Sequence, residues 1–429
     1  MKRGPDRQQE IYLRGVSGGR PRIPTDATDL EERAKSSMSA EAYAYIAGGA
    51  GTGRTMQSNR DGFDAWRIVP RMLRDVGERD TTVELLGRTL PAPFVLSPIG
   101  VLEMVDDEAD LAVARAARET GIPMTFSNQA SRPMEECARE LGDGMRLFQL
   151  YWSTSNDLVA SFASRAEACG CSAIVITLDT TMLGWRTRDL DLGYLPFLRG
   201  KGIAQYTSDP VFDRIISGEM SGQQEGEGPL PDPPQPKPTP AALKTLVDLT
   251  RAYPDRFDRA LTSGKARAAV QTFVRIYSRP TLTWEDLAFL RERTKLPIVL
   301  KGIVHPDDAR RAVEEGMGGV WVSNHGGRQV DGATSTIEAL PAIAEAVQGR
   351  VPIVMDSGIR TGADAFKAIA LGATAVGIGR PHCYGLALAG EAGVREVLEN
   401  FQADFDLTMG LAGCRSISEI GPDALTPAL

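Results

Sequence analysis

The 429-residue sequence lacks the features that mark membrane, secreted and nucleic-acid-binding proteins. It contains no run of about 18 apolar residues, so we expect no membrane-spanning helix. Its first residues, MKRGPDRQQE, lack the apolar core of a signal peptide. Its net charge of −8 argues against a nucleic-acid or anionic-membrane partner. These absences predict a cytoplasmic protein.

Cysteine and histidine are also scarce. The five cysteines are scattered without a CxxC pair, at positions 137, 169, 171, 383 and 414. This spacing predicts free thiols in a reducing compartment and no metal site. The only histidines are His305, His325 and His382. A base that works near neutral pH is most readily made from histidine, so these three positions focus the search for a site.

From Pro91 onward, short apolar segments alternate with amphipathic ones. The predicted strands are Phe94–Pro98, Met124–Ser127, Leu147–Tyr151, Ala173–Asp179, Ile298–Gly302, Val320–Asn324, Ile353–Asp356 and Ala375–Gly379. The predicted helices are Glu108–Thr120, Met134–Leu141, Asn156–Cys169, Trp284–Thr294, Asp307–Glu315, Ile337–Val347, Ala363–Ala370 and Gly393–Met409. Eight consecutive strand–helix units predict an α/β fold, a (β/α)8 TIM barrel, with a doubly wound sheet as the alternative.

Two regions fall outside this alternation. Residues 1–40 are polar and predict a loosely held N-terminal arm that leads into a helix around Leu30–Lys35; residues 41–429 form the barrel domain. Residues 42–47 predict a helix that a glycine cluster, 48–53, terminates. Since no strand precedes these glycines, a phosphate loop is disfavoured.

A long insertion follows predicted strand four. More than 100 residues separate Asp179 from Ile298, and we expect only one regular helix among them. Within the insertion, residues 229–240 include seven prolines and predict an extended, partly mobile segment. An insertion at this end of a barrel strand lies on the catalytic face. Residues 190–275 could therefore be a lid, a surface decoration or an oligomer contact.

The segment SNHGGRQ, residues 323–329, places His325 and Arg328 after a buried strand. Histidine can accept a proton and arginine can hold a carboxylate. Asp179, after strand four, could orient His325, or it could instead pair with Arg186 or Arg188. His305 precedes a proline at a helix start and is assigned a structural role, and His382 is ambiguous. These residues predict a site that takes a proton from a small carboxylic acid.

The other strand ends also carry polar groups. Ser357-Gly358 and Gly379-Arg380, after strands seven and eight, resemble a phosphate site, with ordinary turn glycines as the alternative. Lys301, at the end of strand five, has three interpretations. It could be a structural lysine whose aliphatic chain packs in the barrel and whose ammonium is paired. It could instead be a Schiff-base nucleophile, or a cation beside a cofactor that gains negative charge. The neighbouring phosphate site and His–Arg pair favour the third.

Several of these segments resemble the FMN-dependent L-2-hydroxy acid oxidase and dehydrogenase family. The matching segments are SNHGGRQVDG at 323–332, LKG at 300–302, DSGIRTGADAFKAIALGA at 356–373, GIGRP at 377–381, FQLYW at 148–152, TLDT at 177–180 and LGWR at 183–186. Residues 66–88 and 195–212 resemble the lactate 2-monooxygenase branch in particular. The resemblance covers roughly residues 40–421.

The resemblance implies a role for each matching residue. His325 would accept the proton, and Asp179 and Lys301 would support catalysis. Substrate contacts would come from Tyr45, Tyr151, Arg186, Arg328 and Gln129. The FMN contacts would come from Pro98, Ile99, Gly100, Ser127, Gln149, Thr177, Lys301, Ser323, Asp356, Ser357, Gly358, Arg360, Gly379 and Arg380.

The sequence departs from the pattern expected of the family at Gln129, at residues 105–109, at Thr181-Met182 and at Gly100. Gln129 stands where relatives often carry an aromatic or aliphatic residue, so the substrate's side chain could be polar. Gly100 stands where many oxidases have alanine and is expected to leave space near the flavin. We expect that this space alters how oxygen meets the reduced flavin, or slows product release enough for decarboxylation.

The resemblance implies a homotetramer or larger homo-oligomer that binds FMN and oxidises a small L-2-hydroxy acid, such as lactate, with oxygen. A lactate 2-monooxygenase-like enzyme would form acetate, CO2 and water. The alternatives are an oxidase that releases peroxide and a dehydrogenase with another acceptor. A Schiff-base aldolase and a non-catalytic flavin- or phosphate-binding barrel are alternatives of other classes.

Overall fold

A computed structural model describes residues 3–222 and 237–428 of the chain. The helices in chain order are α1 (Gly4–Val16), α2 (Ala27–Ser37), α3 (Ala40–Ala47), α4 (Arg54–Asp64), α5 (Ala109–Thr120), α6 (Met134–Leu141), α7 (Asn156–Ala168), α8 (Thr187–Asp191), α9 (Ala204–Thr207), α10 (Pro210–Ile216), α11 (Pro240–Ala252), α12 (Phe257–Ser263), α13 (Lys265–Ile276), α14 (Leu287–Arg291), α15 (Pro306–Glu314), α16 (Thr336–Val347), α17 (Gly362–Ala370) and α18 (Arg380–Ala412). The strands are β1 (Trp66–Ile68), β2 (Val83–Leu85), β3 (Arg88–Leu90), β4 (Phe94–Leu96), β5 (Met124–Phe126), β6 (Arg146–Leu150), β7 (Ile174–Thr177), β8 (Ile298–Ile303), β9 (Gly319–Val322), β10 (Ile353–Met355), β11 (Ala375–Ile378) and β12 (Leu425–Pro427). No helix in the described part of the chain combines the length and apolar character needed to cross a membrane.

Strands β4 to β11 form a closed barrel, and all neighbouring pairs are parallel. Strand β11 pairs with β4 through Val376 and Phe94, which closes the ring. All eight predicted strands are present, so the predicted TIM barrel is confirmed. The C-terminal ends of the eight strands therefore meet at one mouth.

The barrel interior is packed and closed at its other end. Its side chains include Val95, Leu147, Val175, Trp321 and Val354, all buried. The β2–β3 hairpin adds two buried leucines to the same cluster, at positions 85 and 90. Since the hairpin covers the N-terminal end of the strands, the mouth at the C-terminal ends is left as the place for a site.

The prediction of a loosely held N-terminal arm is wrong for residues 4–16, which form α1 against α18. The backbone N–H of Gly4 donates to Asp406 at 2.7 Å. Arg7 is only 4% exposed, and its guanidinium lies 3.2 Å from the carboxylate of Glu399. Because the buried face of α1 consists of a glycine and an arginine, no apolar pattern marked it in the sequence. The helix predicted around Leu30–Lys35 is confirmed as part of α2.

The insertion between β7 and β8 contains far more regular structure than predicted. Helices α8 to α14 lie within it, where one helix was expected. Tyr206, Phe212 and Phe273 are fully buried there, and the ring centroids of Tyr206 and Phe273 are 4.8 Å apart. This aromatic packing fixes the described part of the insertion against the barrel. Residues 229–236 of the proline-rich segment lie outside the described residues, and Pro240 begins α11.

Two further helix predictions need correction. The predicted helix Trp284–Thr294 is shorter and covers only Leu287–Arg291. The predicted helix Gly393–Met409 is the second half of α18, whose first half begins at Arg380. Between the halves the backbone is non-helical at Ala389 and Gly390, where Gly390 has a φ of 58°. Glycine permits this break, since it adopts positive φ without steric cost.

Candidate active site

The barrel mouth opens into a cavity of about 990 Å³, counting space open to solvent. Seventeen of the predicted site residues line it: Tyr45, Pro98, Ile99, Gly100, Gln129, Tyr151, Thr177, Arg186, Lys301, His325, Arg328, Asp356, Ser357, Gly358, Arg360, Gly379 and Arg380. The other four, Ser127, Gln149, Asp179 and Ser323, lie behind this wall and hydrogen-bond to residues next to it. The ends of all eight barrel strands, helix α3 and the insertion thus supply one connected site.

His325 and Asp179 form the predicted pair. The imidazole Nδ1 lies 2.7 Å from Oδ1 of Asp179 and 3.1 Å from Oγ1 of Thr180. Since the carboxylate accepts the Nδ1 proton, Nε2 carries the free lone pair of a neutral imidazole. The alternative pairing of Asp179 with Arg186 or Arg188 does not occur among the described ion pairs. The pair therefore has the geometry of an oriented base.

Electrostatics keep this base neutral and its partner ionised. Burial lowers the pKa of His325 below 6.5, and the Lys301 and Arg186 charges lower it further, although Asp179 opposes the shift. Burial would raise the pKa of Asp179, but His325 and Lys301 outweigh it and hold that pKa below its usual range. Near neutral pH the imidazole can thus accept a proton, and the carboxylate can stabilise the resulting imidazolium.

The backbone of His325 is in the left-handed region, with a φ of 58°. Non-glycine residues seldom adopt it, and such strain is often found at functional sites. Hydrogen bonds hold this turn: the N–H of His325 donates to Ser323 Oγ at 3.1 Å, and the N–H of Gly326 donates to Ser357 Oγ at 2.9 Å. A Cβ on Gly327 would lie 2.7 Å from the backbone nitrogen of Met56. The two glycines after His325 therefore permit a turn that aims the imidazole into the cavity.

Arg186 and Arg328 lie on the same side of the cavity as His325. The guanidinium of Arg328 donates to the carbonyls of Tyr45 and Gly48 and lies 5.0 Å from the centroid of the Tyr45 ring. Arg186 is 6% exposed and donates to Gln329 Oε1 at 3.1 Å. Burial and the neighbouring Arg186 lower the pKa of Arg328 to about 9. Arg186 is buried and Arg328 is partly buried, and neither has an ion-paired acid in the described chain, which indicates a site for a carboxylate.

A second pair of arginines lies at the ends of β10 and β11. Arg380 donates to the carbonyls of Gly48 at 2.9 Å and Gly326 at 3.0 Å. Burial lowers the pKa of Arg360, and the Arg380 charge adds to this effect. Neither forms an ion pair with a carboxylate among the described residues. Together with the start of α18 at Gly379, they match the predicted phosphate site.

Lys301, on β8, lines the same cavity as the two pairs of arginines. Its ammonium donates to Ser323 Oγ at 2.8 Å and lies 3.4 Å from Oδ2 of Asp356. Asp356 also accepts hydrogen bonds from the hydroxyls of Ser97 and Ser357, at 3.0 Å each. These contacts fix the Lys301 side chain against Ser323 and Asp356, whereas a Schiff-base lysine needs its nitrogen free to attack a carbonyl. The geometry thus supports a fixed positive charge at the cavity wall.

Several buried polar atoms on the barrel side have no hydrogen-bond partner in the described chain. They include Nε2 of Gln149 and Oγ1 of Thr177, at the ends of β6 and β7. Buried donors and acceptors are rarely left unpaired in native proteins, and Thr177 lines the cavity, so a group bound there would complete its hydrogen bonding. These atoms and the arginines indicate a ligand with a polar edge and an anionic end.

Eight residues that line the cavity were not among the predicted site residues, namely Ile46, Ser97, Thr180, Leu183, Tyr277, Gly326, Ile359 and Gly377. Tyr277 follows α13 in the insertion, and its ring stacks on Phe273 with centroids 5.2 Å apart. Thr180 adjoins Asp179 and could have been proposed from that position. No sequence pattern marks Tyr277, because only the folding of the insertion brings it to the mouth.

The sequence predicted spare volume beside Gly100. In the structure, Gln129 lies against the position that a Cβ on Gly100 would take. A Cβ there would lie 2.9 Å from the carbonyl oxygen of Gln129 and 3.0 Å from its Cβ. The glycine thus permits close packing of two loops, and the prediction of spare volume near the flavin is wrong in this respect. The other two histidines have structural contacts: His305 caps α15, and His382 is buried with Nδ1 3.0 Å from the Ile378 carbonyl.

Comparison with known proteins identifies a family. A family model described as FMN-dependent dehydrogenase matches residues 34–427. The chain is 39% identical to the FMN-dependent alpha-hydroxy acid dehydrogenase qulF of Penicillium citrinum, covering 97% of this chain and 94% of the relative. It is 38% identical to an L-lactate oxidase of Lysinibacillus sphaericus, covering 95% and 94%. A solved structure of mandelate oxidase with (S)-4-hydroxymandelic acid matches at a TM-score of 0.74 and 35% identity, covering 95% of this chain and 99% of that one.

Proposed function

Because this chain belongs to the FMN-dependent dehydrogenase family, it uses FMN to oxidise a 2-hydroxy acid. We propose that its substrate is a small L-2-hydroxy acid of about the size of lactate and that oxygen is the electron acceptor. The observation that carries the proposal is the free Nε2 of the His325–Asp179 pair. It faces a cavity that is also lined by Arg186 and Arg328, two arginines without an acidic ion-pair partner among the described residues.

The described residues fit FMN. Nε2 of Gln149 and Oγ1 of Thr177 lack partners and would meet the polar edge of the flavin ring. Arg360 and Arg380 lack acidic partners and would meet the phosphate. FMN supplies the two-electron acceptor when it is bound. The further predicted contacts to the cofactor are Pro98, Ile99, Gly100, Ser127, Lys301, Ser323, Asp356, Ser357, Gly358 and Gly379.

The substrate carboxylate would lie between Arg186 and Arg328, which hold it and fix the orientation of the carbon to be oxidised. His325 Nε2 would accept the proton that the substrate loses. Asp179 would stabilise the imidazolium through the 2.7 Å contact at Nδ1. The hydroxyls of Tyr45 and Tyr151 line the same cavity and would donate hydrogen bonds to the substrate, because burial raises the pKa of both and keeps them protonated.

The proposal is tested by oxygen consumption. The purified protein should consume oxygen with L-lactate, and D-lactate serves as the control because the site holds the carboxylate and hydroxyl in one fixed arrangement. Equal rates with the two enantiomers would contradict the proposed orientation by Arg186, Arg328 and His325.

We propose further that the products are those of a lactate 2-monooxygenase, namely acetate, CO2 and water from lactate and oxygen. Residues from the insertion, Tyr277, Arg186 and Leu183, line the cavity, so a 2-keto acid and peroxide would remain together before release. The second candidate is an oxidase that releases the keto acid and peroxide, which the likeness to an L-lactate oxidase favours. Measuring all four products in one reaction distinguishes the two activities. Acetate and CO2 indicate the monooxygenase, whereas pyruvate and peroxide indicate the oxidase.

Gly100→Ala is expected to shift the products towards peroxide. The added methyl group must displace the loop at Gln129, since its Cβ would lie 2.9 Å from that carbonyl. Displacement of this loop would loosen the cavity wall that retains the products. It should also lower the melting temperature of the protein. Gly15→Ala is the matched control, because nothing lies within 4 Å of a Cβ at that position. An unchanged ratio of peroxide to acetate would remove Gly100 from product retention.

The rate should also depend on the charge of His325. Burial lowers its pKa below 6.5, so the base stays neutral and active at pH 7, and activity is lost as the pH falls through this lowered value. Asp179 raises the pKa of His325, so in Asp179→Asn the remaining activity should decline at a still lower pH. The measurement is kcat/KM for L-lactate from pH 8 to about pH 4.5. An acid limb above pH 6.5 would count against His325 as the base.

A further inference from the structure

The amide of Gln129 lies at the wall of the cavity and has no assigned partner. The residue is 7% exposed and lines the cavity. Its side-chain oxygen and nitrogen form no hydrogen bond within the described chain. An amide that lines a cavity and has no partner within the protein can offer its N–H donors and its carbonyl oxygen to a ligand.

The backbone of Gln129 is held firmly. Its N–H donates to Ser127 Oγ at 3.1 Å, and its carbonyl accepts from the N–H of Val101 at 2.9 Å. Two glycines lie close to this carbonyl oxygen. A Cβ added to Gly100 would lie 2.9 Å from it, and a Cβ added to Gly202 would lie 3.0 Å from it. The position is thus fixed by its neighbours while the amide is left free, which is the arrangement expected of a preorganised binding group.

The amide lies across the barrel from the base. Gln129 follows β5 and His325 follows β9, and four steps around an eight-stranded ring separate these strands. Arg186 and Arg328 hold the carboxylate near His325. A substrate anchored there extends its remaining substituent, carbon C3, away from the β9 side and towards Gln129.

We propose that Gln129 binds a hydrogen-bonding group on C3 of the substrate, so that the preferred substrates are L-2-hydroxy acids with a polar side chain, such as a 3-hydroxyl. This inference rests on the proposed oxidation of a small L-2-hydroxy acid at the same site. A pocket that supplies a hydrogen bond discriminates strongly against an analogue that leaves its buried polar group unpaired.

The test compares two acids of equal size, L-glycerate and L-2-hydroxybutyrate, which differ by a hydroxyl in place of a methyl group. The native protein should favour L-glycerate by about 10-fold or more in kcat/KM. Gln129→Met keeps the length of the side chain and removes the amide, so it should abolish the preference while L-2-hydroxybutyrate is still oxidised. FMN content and melting temperature confirm that the variant is folded.

A binding measurement separates this inference from the proposed function. The keto acids hydroxypyruvate and 2-oxobutyrate have the same shapes and no hydrogen to lose at C2, and their dissociation constants follow from changes in the flavin absorption spectrum. The native protein should bind hydroxypyruvate about 10-fold more tightly, and Gln129→Met should bind both equally. Equal binding by the native protein, or a preference that survives in Gln129→Met, would overturn the inference. Loss of oxidation of both acids with the binding preference intact would instead count against the proposed function.

Discussion

Replacing His325 with alanine should slow anaerobic reduction of the flavin by L-lactate about 1,000-fold, while FMN stays bound. The reason is the loss of His325, the only described residue in the cavity that combines a free lone pair with an oriented partner, Asp179 at 2.7 Å. FMN should be retained, because the predicted phosphate contacts, Arg360 and Arg380, lie on other strand ends. The measurement is stopped-flow reduction under anaerobic conditions.

His305→Ala is the matched control for this variant. His305 is exposed and caps α15 through the N–H of Asp307, so its loss should change the reduction rate little. Reduction of the His325→Ala protein at a rate within a few fold of the native one would show that another group accepts the proton.

The second large effect is expected from Arg328→Lys. Lysine keeps the positive charge but loses the planar fork that holds a carboxylate through two hydrogen bonds. It also loses the hydrogen bond to Gly48 that fixes the group at the cavity wall. We expect kcat/KM for L-lactate to fall about 100-fold, with a similar loss in affinity for pyruvate.

Pyruvate binding distinguishes the arginine from the histidine. His325→Ala should bind pyruvate nearly as well as the native protein does, because the carboxylate holders are intact. The exposed Arg310 provides the control substitution Arg310→Lys, for which no change is expected. Unchanged affinity for pyruvate in Arg328→Lys would remove Arg328 from carboxylate binding.

The barrel could be predicted from the sequence because its elements carry strong local patterns. Each strand is a short apolar run, and the helices have buried positions on one face, as in α6 with Met134, Cys137 and Leu141. Helix α1 lacked such a pattern because ion pairs and a hydrogen bond fix it. Helix α13 had one, in Ala266, Ala269, Val270 and Phe273, and could have been predicted.

The site could be predicted only in part. Parallel strands in a barrel bring their C-terminal ends together, so residues such as Lys301, His325 and Arg380 could be collected from strand ends alone. The position of Tyr277 depends on how the insertion folds. The space for a side chain at Gly100 depends on how closely two loops approach each other. The larger homo-oligomer and the cytoplasmic location stay predictions.

The most direct test of the whole account is an anaerobic titration of the FMN-bound protein with L-lactate. We predict that the visible flavin absorption is lost and that one pyruvate forms per flavin, with no change on adding D-lactate. Flavin absorption that persists with L-lactate, L-glycerate and L-2-hydroxybutyrate alike would contradict the assignment of this cavity to the oxidation of small L-2-hydroxy acids.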